Sequence, residues 1–139
     1  VPHVAITAIP TGNTIELQRG DTLTLTVTRL GDISARTSFW FTVKADTDDI
    51  DTAALVQIEE TTGLLYINGA AAGTAGNGSI TVTDAVAGDL TVVLAAVEAA
   101  KLPVLGRWYY DFQMLTASGV TTVLRGRALL TGDATRATS

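Results

Sequence analysis

The stretch GDTLTLTVTR, residues 20–29, alternates without a break, with Leu23, Leu25 and Val27 on one side and Thr22, Thr24, Thr26 and Thr28 on the other. A period of two with β-branched hydroxyl residues on the second face fits an extended strand that hides one face and wets the other. Such a strand needs antiparallel neighbours and a second layer to cover its apolar side. TSFWFTVKAD repeats the pattern, setting Phe39, Phe41 and Val43 against Trp40, Thr42 and Lys44. GRWYYDFQML, residues 106–115, does so again, with Trp108, Tyr110, Phe112 and Met114 against Tyr109, Asp111, Gln113 and Leu115.

The remaining segments are shorter and are separated by turn chemistry. HVAITAIP and TIELQ read as two strands punctuated by Pro10 and Gly12-Asn13. Residues 56–59 and 64–67 read as a hairpin around Thr61-Thr62-Gly63, and 79–83 and 90–94 as two more strands. The acidic run DTDDID leads into a predicted helical turn at 49–54, and LAAVEAAKLP gives a second one that Pro103 stops. GAAAGTAGNG, residues 69–78, has neither period nor bulk and reads as a flexible surface loop or exposed tip. TASGVTT then turns the aromatic strand back into VLRGRALL. Eight or nine short strands at spacings near ten residues predict an all-β, immunoglobulin-like antiparallel sandwich with one or two short helical turns. A chain of 139 residues is one domain, with residues 134–139 expected to fray.

Composition removes several functions. The sequence has no cysteine, hence no disulfide, thiolate nucleophile or cysteine-based metal site. It has no apolar run long enough to span a membrane and no signal-peptide pattern. A net charge of −5, with nine Lys and Arg scattered along the chain, argues against a nucleic-acid partner. The one histidine, His3, has no second imidazole with which to build a triad or zinc site. Asp46, Asp48, Asp49 and Asp51 lack the glycine and distal glutamate of a helix–loop–helix calcium loop. GTAGNG lacks the Lys-Ser/Thr of a phosphate loop, and Glu59 and Glu60 are expected on opposite faces of a strand. No catalytic, cofactor-binding or metal-binding residue is expected, and the chain is expected not to be an enzyme.

The aromatic residues divide by parity. Tyr110, Phe112 and Met114 form an inner stripe expected to meet Phe39, Phe41 and Val43 across a sandwich about 10 Å thick. Trp40, Tyr109 and Leu115 take the opposite parity and are candidate protein-contact residues, together with Arg107 and Arg125. Arg125 and Arg127 flank Gly126 and share a face, where a solvated pair is the plainer reading. A second possibility is a carbohydrate-binding or receptor-binding module using Trp40, Trp108 and Asn77.

The order of segments carries a resemblance. A GDT-led strand, SFWFTVKAD, an acidic turn, LP followed by GRWYYDFQML, GVTTVLRG and LLTGDATR together span about residues 14–136. They resemble the immunoglobulin-like modules of tailed-phage virion proteins, among them the N-terminal domain family of the phage baseplate upper protein. The helical stalk that follows the domain in baseplate members is not found in this sequence. The resemblance implies a non-enzymatic virion component at the baseplate, tail, neck or capsid surface, assembled in the host cytoplasm. It further implies contacts with other virion structural proteins, a homo-oligomer, and a structural role for Tyr110 and Asp111.

Overall fold

The computed structural model describes residues 3–7, 14–18, 20–45, 53–103 and 106–131. Eleven strands follow in order among them: β1 (His3–Thr7), β2 (Ile15–Gln18), β3 (Leu23–Thr28), β4 (Ser38–Lys44), β5 (Val56–Glu59), β6 (Gly63–Ile67), β7 (Ala70–Ala71), β8 (Gly78–Asp84), β9 (Asp89–Leu94), β10 (Gly106–Thr116) and β11 (Gly119–Thr131). A 3-10 turn (Ala75–Asn77) precedes β8 and a one-turn helix α1 (Ala96–Ala99) follows β9. The strands form a four-stranded sheet, β1-β3-β9-β8, and a seven-stranded sheet, β2-β11-β10-β4-β5-β6-β7. This is the predicted immunoglobulin-like sandwich. It has more strands than the predicted eight or nine, one of them the two-residue β7. Two pairings are parallel, β1 with β3 and β2 with β11.

The alternation read from the sequence is the inside–outside code of the two layers. Leu23, Leu25 and Val27 are buried from β3, and Phe39, Phe41, Val43, Tyr110 and Phe112 are buried from β4 and β10, all in one core cluster. The two aromatic stripes, expected to face each other across the sandwich, are instead hydrogen-bonded neighbours in one sheet: the register sets Tyr110 beside Val43, Phe112 beside Phe41 and Met114 beside Phe39. Phe112 is the hub of the aromatic packing: its ring centroid lies 4.9 Å from Phe41, 6.1 Å from Phe39 and 6.1 Å from Tyr110. Burial pushes the Tyr110 phenol up to about 12, so it stays neutral at physiological pH.

Residues 69–78, expected as a flexible surface loop or exposed tip, are mostly exposed but are tied to the fold by hydrogen bonds. β7 pairs with β6, Asn77 donates from its backbone to Thr74 and accepts from Ala95, and Gly78 is buried. The chain comes so close here that a Cβ on Gly63, whose φ is +99°, would lie 2.4 Å from the Ala75 carbonyl oxygen. Close approach is confined to Gly63 and Gly78, whereas a Cβ on Gly69, Gly73 or Gly76 would meet nothing within 4 Å. The predicted helical turn at 49–54 falls mainly on residues outside those described, as does the frayed tail. The second predicted helical turn is α1, and among the described residues no helix is long and apolar enough to cross a membrane.

One end of the sandwich is built by two joined turns. Leu30 and Ile33 donate backbone hydrogen bonds to Gly88 and Ala85, and Arg29 N–H donates to Asp89 Oδ1 at 3.1 Å. Gly88 has φ +79°, and a Cβ there would lie 2.2 Å from the Gly31 carbonyl oxygen. Gly88→Ala is therefore expected to destabilise the fold by about 1–3 kcal/mol, because neither the backbone angle nor the neighbouring backbone can accept a side chain. A denaturant midpoint unchanged from wild type would contradict this.

Candidate interaction face

The seven-stranded sheet has an outer face turned away from the core, and its rungs follow from the strand registers. One rung runs Arg127, Tyr109, Lys44. The next runs Arg125, Asp111, Thr42, Gln57, Tyr66. A third runs Thr122, Gln113, Trp40, Glu59, and a fourth Val120, Leu115, Ser38. Beyond Tyr109, Arg107 stands beside Leu129, which pairs with Glu16. Successive same-face positions on a strand are about 6.8 Å apart, so the β10 residues from Arg107 to Leu115 cover about 27 Å.

All five residues singled out from the sequence therefore share one face. Tyr109 is 42% exposed, Arg107 and Arg125 are exposed, and Trp40 and Leu115 are half-buried. They are not one tight cluster. Trp40 and Leu115 lie toward the β10–β11 hairpin tip with Val120, which is 56% exposed, whereas Tyr109 and Arg107 lie at the opposite end.

The sequence reading sets Lys44 on the Trp40 parity and Arg127 on the Arg125 face without naming either as a contact residue, and it misses Tyr66. Lys44, Tyr66 and Arg127 join the face, and Arg127 stands directly across from Tyr109. The expectation of scattered cations is corrected here: strand pairing gathers Arg107, Arg125 and Arg127 around Tyr109 although they are distant or alternate in sequence. None of the three arginines forms an ion pair among the described residues. Parity within each strand groups Lys44 with Trp40 and Arg127 with Arg125. Only the register could place them together.

Between the aromatic and cationic side chains the face has a polar floor. Thr42 and Gln57 are buried, with Gln57 Nε2 donating to Thr42 Oγ1 at 3.3 Å, and Trp40, Lys44, Asp111 and Tyr66 stand around them in register. Glu59 is buried at the edge of this floor. It accepts from Ser38 Oγ, from Thr61 N–H and Thr62 N–H at 3.0 Å each, and from Thr62 Oγ1 at 2.6 Å. Burial pushes its carboxyl up, but the Ser38 hydroxyl on β4 together with the bonds from the turn outweighs that and holds it down to about 2. The carboxylate is a turn clamp, accepting from the β5–β6 connection much as an N-cap accepts from a helix.

Other carboxylates are also occupied. Glu60 pairs bidentately with Arg36, at 2.8 and 2.6 Å, and the Glu60 carboxylate holds that guanidinium above its ordinary value. Buried Glu98 accepts from Asn77 Nδ2 at 2.9 Å and lies 2.7 Å from Lys101 Nζ, and these partners keep it ionised below the usual carboxylate range. Glu59 and Glu60 do not converge, as the sequence predicted. Among the described residues no group of three His, Asp or Glu could hold a metal ion. The aspartates of residues 46–51 and the His3 side chain lie outside the described residues.

The carbohydrate trio is not assembled. Trp40 is on the outer face, Trp108 takes the inner parity and packs against the core, and Asn77 is committed to Glu98.

No protein-family description matches the chain, and no curated protein does. Among 89 solved chains that match is the NK cell receptor Nkp44, a triggering partner in natural cytotoxicity. The two superpose with a TM-score of 0.51 at 17% identity, over 87% of this chain and 99% of that one. At that identity the likeness is one of fold alone. With the two sheets and their shared core, it makes the chain an immunoglobulin-like β-sandwich.

Proposed function

We propose that the chain is a non-enzymatic structural module of a tailed-phage virion that works by adhesion through the outer face of its seven-stranded sheet. The observation that carries the adhesive reading is the sharing of that face by Trp40, Tyr66, Tyr109, Leu115 and Val120 with Arg107, Arg125 and Arg127. Aromatic and arginine side chains supply most of the energy in protein contacts, and a rigid sheet presents them at little entropic cost. The commitment of Glu59, Glu60 and Glu98 to structural partners favours adhesion over acid–base chemistry. The virion setting rests on the sequence resemblance. A cysteine-free fold suits assembly in a reducing host cytoplasm, and repeated contacts between copies and with other virion proteins suit a homo-oligomer.

The test is mass spectrometry of virus particles purified from a producing culture, with wild type and Tyr109→Asp compared. The wild-type chain is expected in the particles, and the variant is expected to fall at least about tenfold while remaining folded. Absence of the wild-type chain overturns the virion role, and full incorporation of the variant overturns the face. Binding on a glycan array that Trp40→Ala abolishes at unchanged solution mass would replace this reading with a carbohydrate-binding one.

A further inference from the structure

The two ends of the sandwich carry complementary chemistry. β3 ends where β9 begins, with Val27 paired to Leu90, and the same end holds the start of β4, where Thr37 N–H donates to Leu115. At this end Val86 is 71% exposed at the tip of the β8–β9 turn, with Asp84 and Asp89 at its two feet and Asp32 on the turn bonded to it. Each aspartate stiffens this end: Asp84 Oδ1 accepts from Ala87 N–H and Asp32 Oδ1 from Ser34 N–H and Oγ within their own turns, and Asp89 Oδ1 accepts from Arg29 N–H on the other turn. Arg29 is the one exposed cation among them. At the other end of β4, about 20 Å away by strand rise, Tyr109 has Arg127 across from it, Arg107 and Asp111 as its same-face neighbours on β10, and Arg125 diagonal to it opposite Asp111, three cations to one carboxylate. Lys44 is not counted among the cations because it has other interactions. Asp46, Asp48, Asp49 and Asp51, which follow it in sequence, lie outside the described residues, so the site is taken from β10 and β11 alone.

We infer that the chain associates with itself head to tail, the acidic, valine-tipped end of one copy seating on the arginine-flanked Tyr109 of the next. The inference rests on reading the outer face as a contact surface and names its occupant. An apolar tip between carboxylates meets an aromatic ring between guanidiniums, and both sides are held rigid before contact, one by the Gly31–Gly88 approach and the other by the longest hairpin of the sheet. Two-fold pairing of the outer faces is disfavoured on charge. In one orientation the arginines meet themselves, and in the other they meet the Leu115–Val120 end, where the register places Ser38, Trp40 and Gln113 and no exposed acid. A contact between different surfaces repeats: it closes a ring when the rotation divides a full turn and otherwise extends a filament.

The test is sedimentation of the 139-residue chain at low and high salt. Wild type is expected to associate and to weaken at least about tenfold between about 50 and 500 mM salt, because rim charges are screened. Arg125→Glu/Arg127→Glu alone and Asp84→Asn/Val86→Ser/Asp89→Asn alone are each expected to be monomeric. The asparagines keep the Oδ1 acceptors, so the second variant keeps its turn. Mixed, the two variants are expected to give a one-to-one dimer and nothing larger, since each retains one intact surface. Wild type that stays monomeric, either variant that still associates, or a mixture that stays monomeric overturns the inference. Retention on duplex DNA lost only in the arginine variant also overturns it, in favour of a nucleic-acid partner. A monomeric chain whose place in particles still depends on Tyr109 sinks the head-to-tail contact alone, whereas head-to-tail association of a chain absent from particles sinks the virion role alone.

Discussion

Phe112→Ala is expected to cost about 3–5 kcal/mol, enough to unfold much of the population of a marginally stable domain. Phe112 is fully buried and its ring touches the packing of Phe39, Phe41 and Tyr110 at once, so removing it leaves a void that three aromatic rings border. Those neighbours come from two adjacent strands with fixed register and cannot close over the gap without moving the sheet. Phe112→Leu is expected to retain most of the stability. Urea unfolding followed by Trp fluorescence measures both, and an alanine variant within about 1 kcal/mol of wild type would show that the sandwich is not held by this aromatic layer.

The second large effect is loss of stability in acid through Glu59. Its carboxyl sits at about 2 in the fold against an ordinary value of 4.5, so the folded state holds the charged form more tightly than the unfolded state does. The sign follows: the stabilisation is complete above 4.5, and is lost as pH falls from there through about 2. Its size is at most roughly 3.4 kcal/mol, at about 1.36 kcal/mol for each pH unit between the two values. Glu98, also held below the ordinary range, acts in the same direction. Glu59→Gln is expected to be about 2 kcal/mol less stable at neutral pH, because an amide cannot accept from Ser38, Thr61 and Thr62 together, and its stability should fall less steeply in acid. Thermal melts across that range measure both slopes. Parallel curves for wild type and variant would remove Glu59 as the acid-sensitive group.

Glu59 also shows how a sheet face can be half structural and half available. At its end of the face the polar groups bond one another and the β5–β6 turn, whereas Tyr109 and its arginines stand at the other end without ion-pair partners among the described residues. A contact made at the arginine end can therefore form without breaking the clamp that the fold depends on.

What the sequence determined by itself was the layering. Strict alternation in TLTLTVT, FWFTVK and WYYDFQML specifies which side chains go inward, because successive residues of an extended chain point to opposite faces whatever the strand pairs with. That rule put Phe39, Phe41, Tyr110 and Phe112 in the core and Trp40, Tyr109 and Leu115 on the opposite parity, whereas the register placed Arg125 on their face. The tertiary structure decided the rest. β1 and β2, read as two similar strands, belong to different sheets, and the exposed stretch 69–78 is tied to β6 and Ala95 by hydrogen bonds. Arg127 came to face Tyr109, and Glu59 to sit under Ser38, through strand order and register. Those depend on which distant segments bury the most surface together, a sum over the whole molecule that no local period encodes.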